Sequence, residues 1–143
     1  MSNPNLISVV HSLAADLRQV PGVRHVTTER YTPSSLPGHM VPCIGLYEEN
    51  LAEEYLVGRR RRCTLTVRLD MTVQGESESR ARELRDTLRR EVNFALNDNS
   101  RRDEWAVYTD EVAQWVLNVL EDPTTLHLQR LVKCYWYEQC EER

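Results

Sequence analysis

The chain has 143 residues, 41% hydrophobic and 28% charged, which excludes a disordered polyelectrolyte and fits one folded domain over 1–143. Eighteen basic against 22 acidic residues leave a net charge of −4, which argues against non-specific nucleic-acid binding through bulk charge. No run approaches the ~18 apolar residues of a membrane helix, and residues 1–17 lack the basic start of a secretion signal, so a cytoplasmic chain with reduced cysteines and no membrane partner is expected.

Residues 4–19 read as a helix. Leu6, Val9, Val10, Leu13, Leu17 and Val20 recur at helical spacing, Asn3 caps the start, Pro4 suits the first position, and Pro21-Gly22 stops it. Residues 23–31 follow as a modest strand with β-branched Val23, Val26, Thr27 and Thr28. A Pro/Ser/Gly loop over 32–39 leads to Pro42 and the short apolar run 43–47, bounded by turn residues as a buried strand is. Residues 48–62 read as an extended loop joining two strands, longer than a hairpin needs, with a turn or part of a hairpin arm within it as the alternative. It begins with Glu48, Glu49, Glu53 and Glu54 and ends with Arg59, Arg60, Arg61 and Arg62.

The clearest element comes next. Cys63, Leu65, Val67, Leu69, Met71 and Val73 alternate with Thr64, Thr66, Arg68, Asp70 and Thr72, the period of a strand with one buried face. Gly75 ends it. Residues 77–96 form a second helix, capped by Ser77 or Ser79, with the stripe Ala81, Leu84, Leu88, Val92, Ala95 and Leu96 turned toward that strand. Arg101 and Arg102 make a second basic cluster in the turn that follows. Residues 105–120, with Trp105, Val107, Val112 and Trp115, fit a strand or a short helix capped by Thr109 equally well. Asp122-Pro123 is a break. Residues 126–137 are a last strand with more apolar residues than one face uses, which calls for a bulge near Arg130 or burial on both faces. The tail 138–143 is expected to fray. Together these elements make an α+β fold: a mainly antiparallel sheet of about four strands with two helices on one face.

The chain carries no nucleotide-binding glycine motif and no nucleophile elbow, and Cys43, Cys63, Cys134 and Cys140 lack metal-ligand spacing. Cys43, Cys63 and Cys134 fall on strands where they can meet in the core as small hydrophobes. His11, His25, His39 and His127 stand apart from one another. No enzyme, catalytic residue, cofactor or metal is therefore expected. Arg68 and Asp70 on the long strand's polar face are what a small enzyme or ligand-binding domain would use to line a pocket, which is the alternative reading.

The order of elements resembles the tail terminator proteins of long-tailed bacteriophages. It lies in the amphipathic first helix, the Pro-led strand Val41-Pro42-Cys43-Ile44-Gly45-Leu46-Tyr47, the acidic connection after it, the long alternating strand, the second helix, and the aromatic strand Lys133-Cys134-Tyr135-Trp136-Tyr137. The resemblance implies a virion protein assembled in the host cytoplasm as a hexameric ring at the head-proximal end of the tail. Such a ring caps the tail tube, ends its polymerisation and docks the head. The implied partners are further copies of the chain, the tail tube protein, the head–tail connector protein and DNA passing through the ring lumen. A connector or completion protein of the neck fits the same pattern. In a ring, Glu48, Glu49, Glu53 and Glu54 of one copy would face Arg59, Arg60, Arg61 and Arg62 of the next, with Arg101 and Arg102 as further interface residues.

Overall fold

The computed structural model describes residues 6–98, 101–102, 106–108 and 114–139. Two helices, α1 (Leu6–Arg18) and α2 (Glu78–Asp98), pack on one face of a sheet built from β1 (His25–Thr27), β2 (Cys43–Leu56), β3 (Arg60–Gln74), β4 (Arg101–Arg102), β5 (Ala106–Tyr108), β6 (Trp115–Val119) and β7 (Thr125–Gln139). The seven strands run in the order β1-β2-β3-β7-β5-β4, with β6 also on β7. Among the described residues only β1–β2 is parallel; the other pairings are antiparallel. The α+β class is as expected. The strands beyond the expected four are β4, just before the stretch whose periodicity was ambiguous, and β5 and β6 within it.

Alternation along β3 places its odd-numbered residues under the helices. Val67, Leu69, Met71 and Val73 are fully buried there with Ile44 and Leu46 of β2, Leu126, Leu128 and Val132 of β7, Val9, Leu13 and Leu17 of α1, and Ala81, Leu88, Val92 and Leu96 of α2. The start of α2 is held tightly. Ser77 Oγ accepts the backbone N–H of Arg80 at 3.1 Å, an N-cap. A Cβ on Gly75 would lie 2.5 Å from the backbone nitrogen of Ala81, so the turn into α2 admits only glycine without a shift. On the solvent face, Arg82–Glu78 and Arg80–Glu83 pair at 2.6 and 2.9 Å, and Asp86 bonds both Arg89 and Arg90. Those arginines hold the Asp86 carboxyl below its usual range.

β7 needs no bulge. Its register against β3 is unbroken from Arg60↔Gln139 to Gln74↔Thr125. Burial on both faces is confined to Thr125–Leu128, where Tyr31 and the 3₁₀ turn Pro33–Ser35 lie over the outer side; the surplus apolar residues Leu131, Tyr135 and Tyr137 are on the outer row beyond it, with Leu131 52% and Tyr137 43% exposed. Farther along, the inner row continues through Arg130, which is only 4% exposed and sits across from Leu69. Its Nη1 donates to Asn93 Oδ1, its guanidinium lies 5.4 Å from the centre of the Trp115 ring, and burial lowers its pKa to about 10.

Three expectations are corrected, and one open alternative is decided. Only His25–Thr27 of the strand read over 23–31 is paired; the chain then leaves the sheet edge through two 3₁₀ turns. Residues 48–62 are not an extended loop: both strands continue through them, because their polar composition reflects exposure on both faces rather than loss of pairing. Of the two readings open for 105–120, residues 115–119 take the strand, paired with β7. Glu138 and Gln139 are not frayed but pair with Arg61 and Arg60. Asn3, Pro4, Trp105, Thr109, Val112, Cys140 and residues 141–143 lie outside the described residues.

Leu69→Ala should cost about 2–5 kcal/mol in urea unfolding followed by circular dichroism, as a cavity at a sealed position does. A buried charge separates neighbouring sites further. Val67→Asp should abolish folding, whereas Leu69→Asp places its carboxylate across from Arg130 and should retain a measurable cooperative transition.

Candidate assembly surface

The feature that stands out on the surface is an arm formed by the outer halves of β2 and β3. Pairing closes at Leu56↔Arg60 around a turn in which Gly58 and Arg59 have φ of 83° and 61°. Such angles suit glycine and are uncommon for arginine. The register shifts between Glu48 and Asn50, a bulge beyond which every residue to Arg60 is exposed. Simple lengths explain this. A 15-residue strand such as β3 spans about 50 Å, while the 21-residue α2 spans about 32 Å. The sheet outruns its helical layer, and the arm is the part left over. At its end Val57 is 98% exposed and Tyr55 70%, with Leu51 and Leu56 also accessible.

The hairpin register decides where the expected interface charges go. Glu54 stands opposite Arg62 and accepts from its Nη2 at 2.9 Å. Arg61 Nε donates to Glu138 Oε2 at 3.0 Å, and Arg60 lies 4.8 Å over the Tyr137 ring. Glu49 binds Arg68 at 2.9 Å. The acidic and basic halves thus meet within one chain. Glu48 and Glu53 are on the same arm and Arg59 is in its turn. Arg101 and Arg102 are elsewhere: they form β4, the terminal strand at the opposite end of the sheet.

The outer face behind the arm is polar. Arg68 Nε is 3.0 Å from Asp70 Oδ1, so these two residues engage each other. Tyr47 lies between Arg30 and Arg68, whose guanidinium carbons are 5.0 and 5.4 Å from its ring centre. Tyr31 OH donates to the Asp70 carbonyl at 2.9 Å and bonds Thr72 Oγ1 at 3.1 Å, while Tyr47 OH donates to the Glu29 carbonyl. Both rings close over Gly45, where a Cβ would meet them at 2.5 to 2.9 Å. Burial raises both phenols above their ordinary range. His127 is buried on this face beside Asn118, and burial lowers its pKa.

The three described cysteines do not meet. Cys43 is on the outer face near Tyr31, paired in register with Thr72, whereas Cys63 and Cys134 are on the inner face. A cluster that sequence spacing did not show takes their place: the ligand atoms of Glu53, Cys63 and Glu138 lie within 4.8 Å of one another. Cys63 Sγ donates to Glu138 Oε2 at 3.3 Å, and burial together with this bond pushes the thiol up to about 12. Burial alone would raise Glu138, but the bonds from Cys63 and Arg61 and the facing Trp136 indole hold it below its usual range. Only the hairpin register, which sets Glu53 against Cys63, would have exposed this cluster in the sequence.

No protein-family model matches the chain, and no curated protein does. Among solved structures, a chain from the virion of a native gene transfer agent particle has the same fold. The TM-score is 0.52 at 11% identity, covering 91% of this chain and 92% of that one.

A pH dependence follows from His127. It is neutral in the folded state at pH values where the unfolded chain, with its ordinary value near 6.5, binds a proton. Stability should therefore rise with pH through the region just below about 6.5. Urea midpoints measured between pH 5 and 7 should show this slope, and His127→Gln should flatten it.

Proposed function

We propose that this chain is a structural virion protein of a phage-like particle, acting as a ring of identical subunits that caps the tail tube, ends its polymerisation and presents the head-docking surface. The observation that carries this reading is the fold shared along nine tenths of both chains with a component of a gene transfer agent virion. The arm gives the reading its chemistry. An exposed hairpin tip carrying Tyr55, Leu56 and Val57 is an apolar surface of the kind that partners cover. Head-to-tail contacts between copies would be heterologous and would close into a ring. Charges left at the rim would add salt-sensitive contacts of roughly 0–1 kcal/mol each. The tail tube protein and the connector would take the ring's two faces, and DNA would pass through its lumen.

Reversing Arg61 would break its bond to Glu138 within the subunit, so the better probe is the tip. Tyr55→Ser with Val57→Asp should leave the circular dichroism spectrum unchanged, abolish the ring in light scattering, and give tails of uncontrolled length by electron microscopy. Tails of normal length that fail to join heads would move the protein to the neck. Normal rings and normal, head-joined tails would overturn the proposal.

A further inference from the structure

The geometry assigns Glu53, Cys63 and Glu138 as a binding site for one zinc-class divalent cation that ties the arm to β7. Each residue comes from a different strand of the three-stranded part of the sheet: β2, β3 and β7. Glu53 and Cys63 are direct cross-strand partners, and Glu138 stands two residues beyond Trp136, the partner of Cys63. All three therefore point to the inner face, past the start of α1. Their ligand atoms lie within 4.8 Å of one another. Tetrahedral zinc, with bonds of about 2.0–2.3 Å, needs ligand atoms roughly 3.3–3.8 Å apart. The remaining approach falls to Glu53, which is exposed.

A second observation stands apart from the cluster. Trp136 is 2% exposed, and its buried indole N–H makes no close hydrogen bond but acts on the Glu138 carboxylate, favouring its charged form. An N–H aimed at a carboxylate from outside is the arrangement that orients a metal-binding carboxylate. The cluster also opens into a hollow of about 370 Å³ lined by Leu6, Ile7, Leu51 and Trp136, which leaves room for a water as fourth ligand.

The donor set selects the cation. One thiolate with two carboxylates suits zinc or its cobalt substitute, whereas magnesium and calcium take oxygen ligands. On binding, the Cys63 proton leaves to solvent, the S–H bond is replaced by a sulfur–metal bond, and the hydrogen bond to Glu138 is exchanged for coordination. Three anionic ligands around a divalent ion leave one negative charge, which the Arg61 guanidinium, 3.0 Å from Glu138 Oε2, offsets. The ion would lock the base of the arm, whichever partner its tip meets.

The test uses the isolated full chain, so it is independent of ring formation. Titration with Co²⁺ alone should give a thiolate-to-cobalt charge-transfer band that saturates at one equivalent and is erased by Zn²⁺. Cys63→Ser should lose the band. Glu53→Gln, at an exposed position that leaves the fold intact, should weaken binding by at least about tenfold, and Cys134→Ser and Cys140→Ser should match wild type. No band in the folded wild type, wild-type affinity in Glu53→Gln, or loss of the band in Cys140→Ser would overturn the assignment.

Discussion

The structure depends on the two-residue period of β3. This strand is paired along its whole length with β7 and from Arg60 to Thr72 with β2, so its side chains have only two directions to take. Its odd-numbered row from Cys63 to Val73 is sealed, and the helices gather over that row. A slip of one residue would turn Thr64, Thr66, Arg68 and Asp70 into the core, which is why the register has one solution. Chain reversal at Gly75 then lays α2 back along the strand that precedes it.

The arm is a consequence of mismatched lengths. Strands gain 3.4 Å per residue and helices 1.5 Å, so a long hairpin cannot be covered by helices of ordinary size. Most of β2 and β3 beyond the bulge at Glu49 is held by backbone pairing and cross-strand contacts, with little core beneath it. Glu54–Arg62 and Arg60 over Tyr137 are such contacts, and exposed pairs of this kind contribute little individually. An arm built this way projects its tip at low cost to the rest of the fold.

The other face of the sheet shows a different way to bury polar groups. Tyr31 and Tyr47 close over Gly45 and satisfy their hydroxyls on backbone carbonyls, while Arg68 divides its guanidinium between Glu49, Asp70 and the Tyr47 ring. Among the described residues the centre of the inner face contains a polar exception, Arg130, bonded to Asn93 and stacked near Trp115. Each of these groups is partnered across elements distant in sequence, and such pairings leave no periodic trace.

The sequence by itself determined the two helices, the long alternating strand and the α+β class, because each rests on periodicity that local residues impose through burial on one face. It also placed Glu54, Arg61 and Arg62 on one surface feature. Tertiary structure decided between a loop and a hairpin arm for this feature, since residues 48–62 are exposed and exposure erases the alternation by which strands are recognised. It likewise decided that Glu54 meets Arg62, that Cys43 is on the opposite face from Cys63, and that Glu53 and Glu138 converge on Cys63. Those outcomes depend on register between strands distant in sequence; the Cys63–Glu138 bond spans 75 residues. Register is a property of the assembled sheet, fixed by which rows must be buried together, and no single segment encodes it.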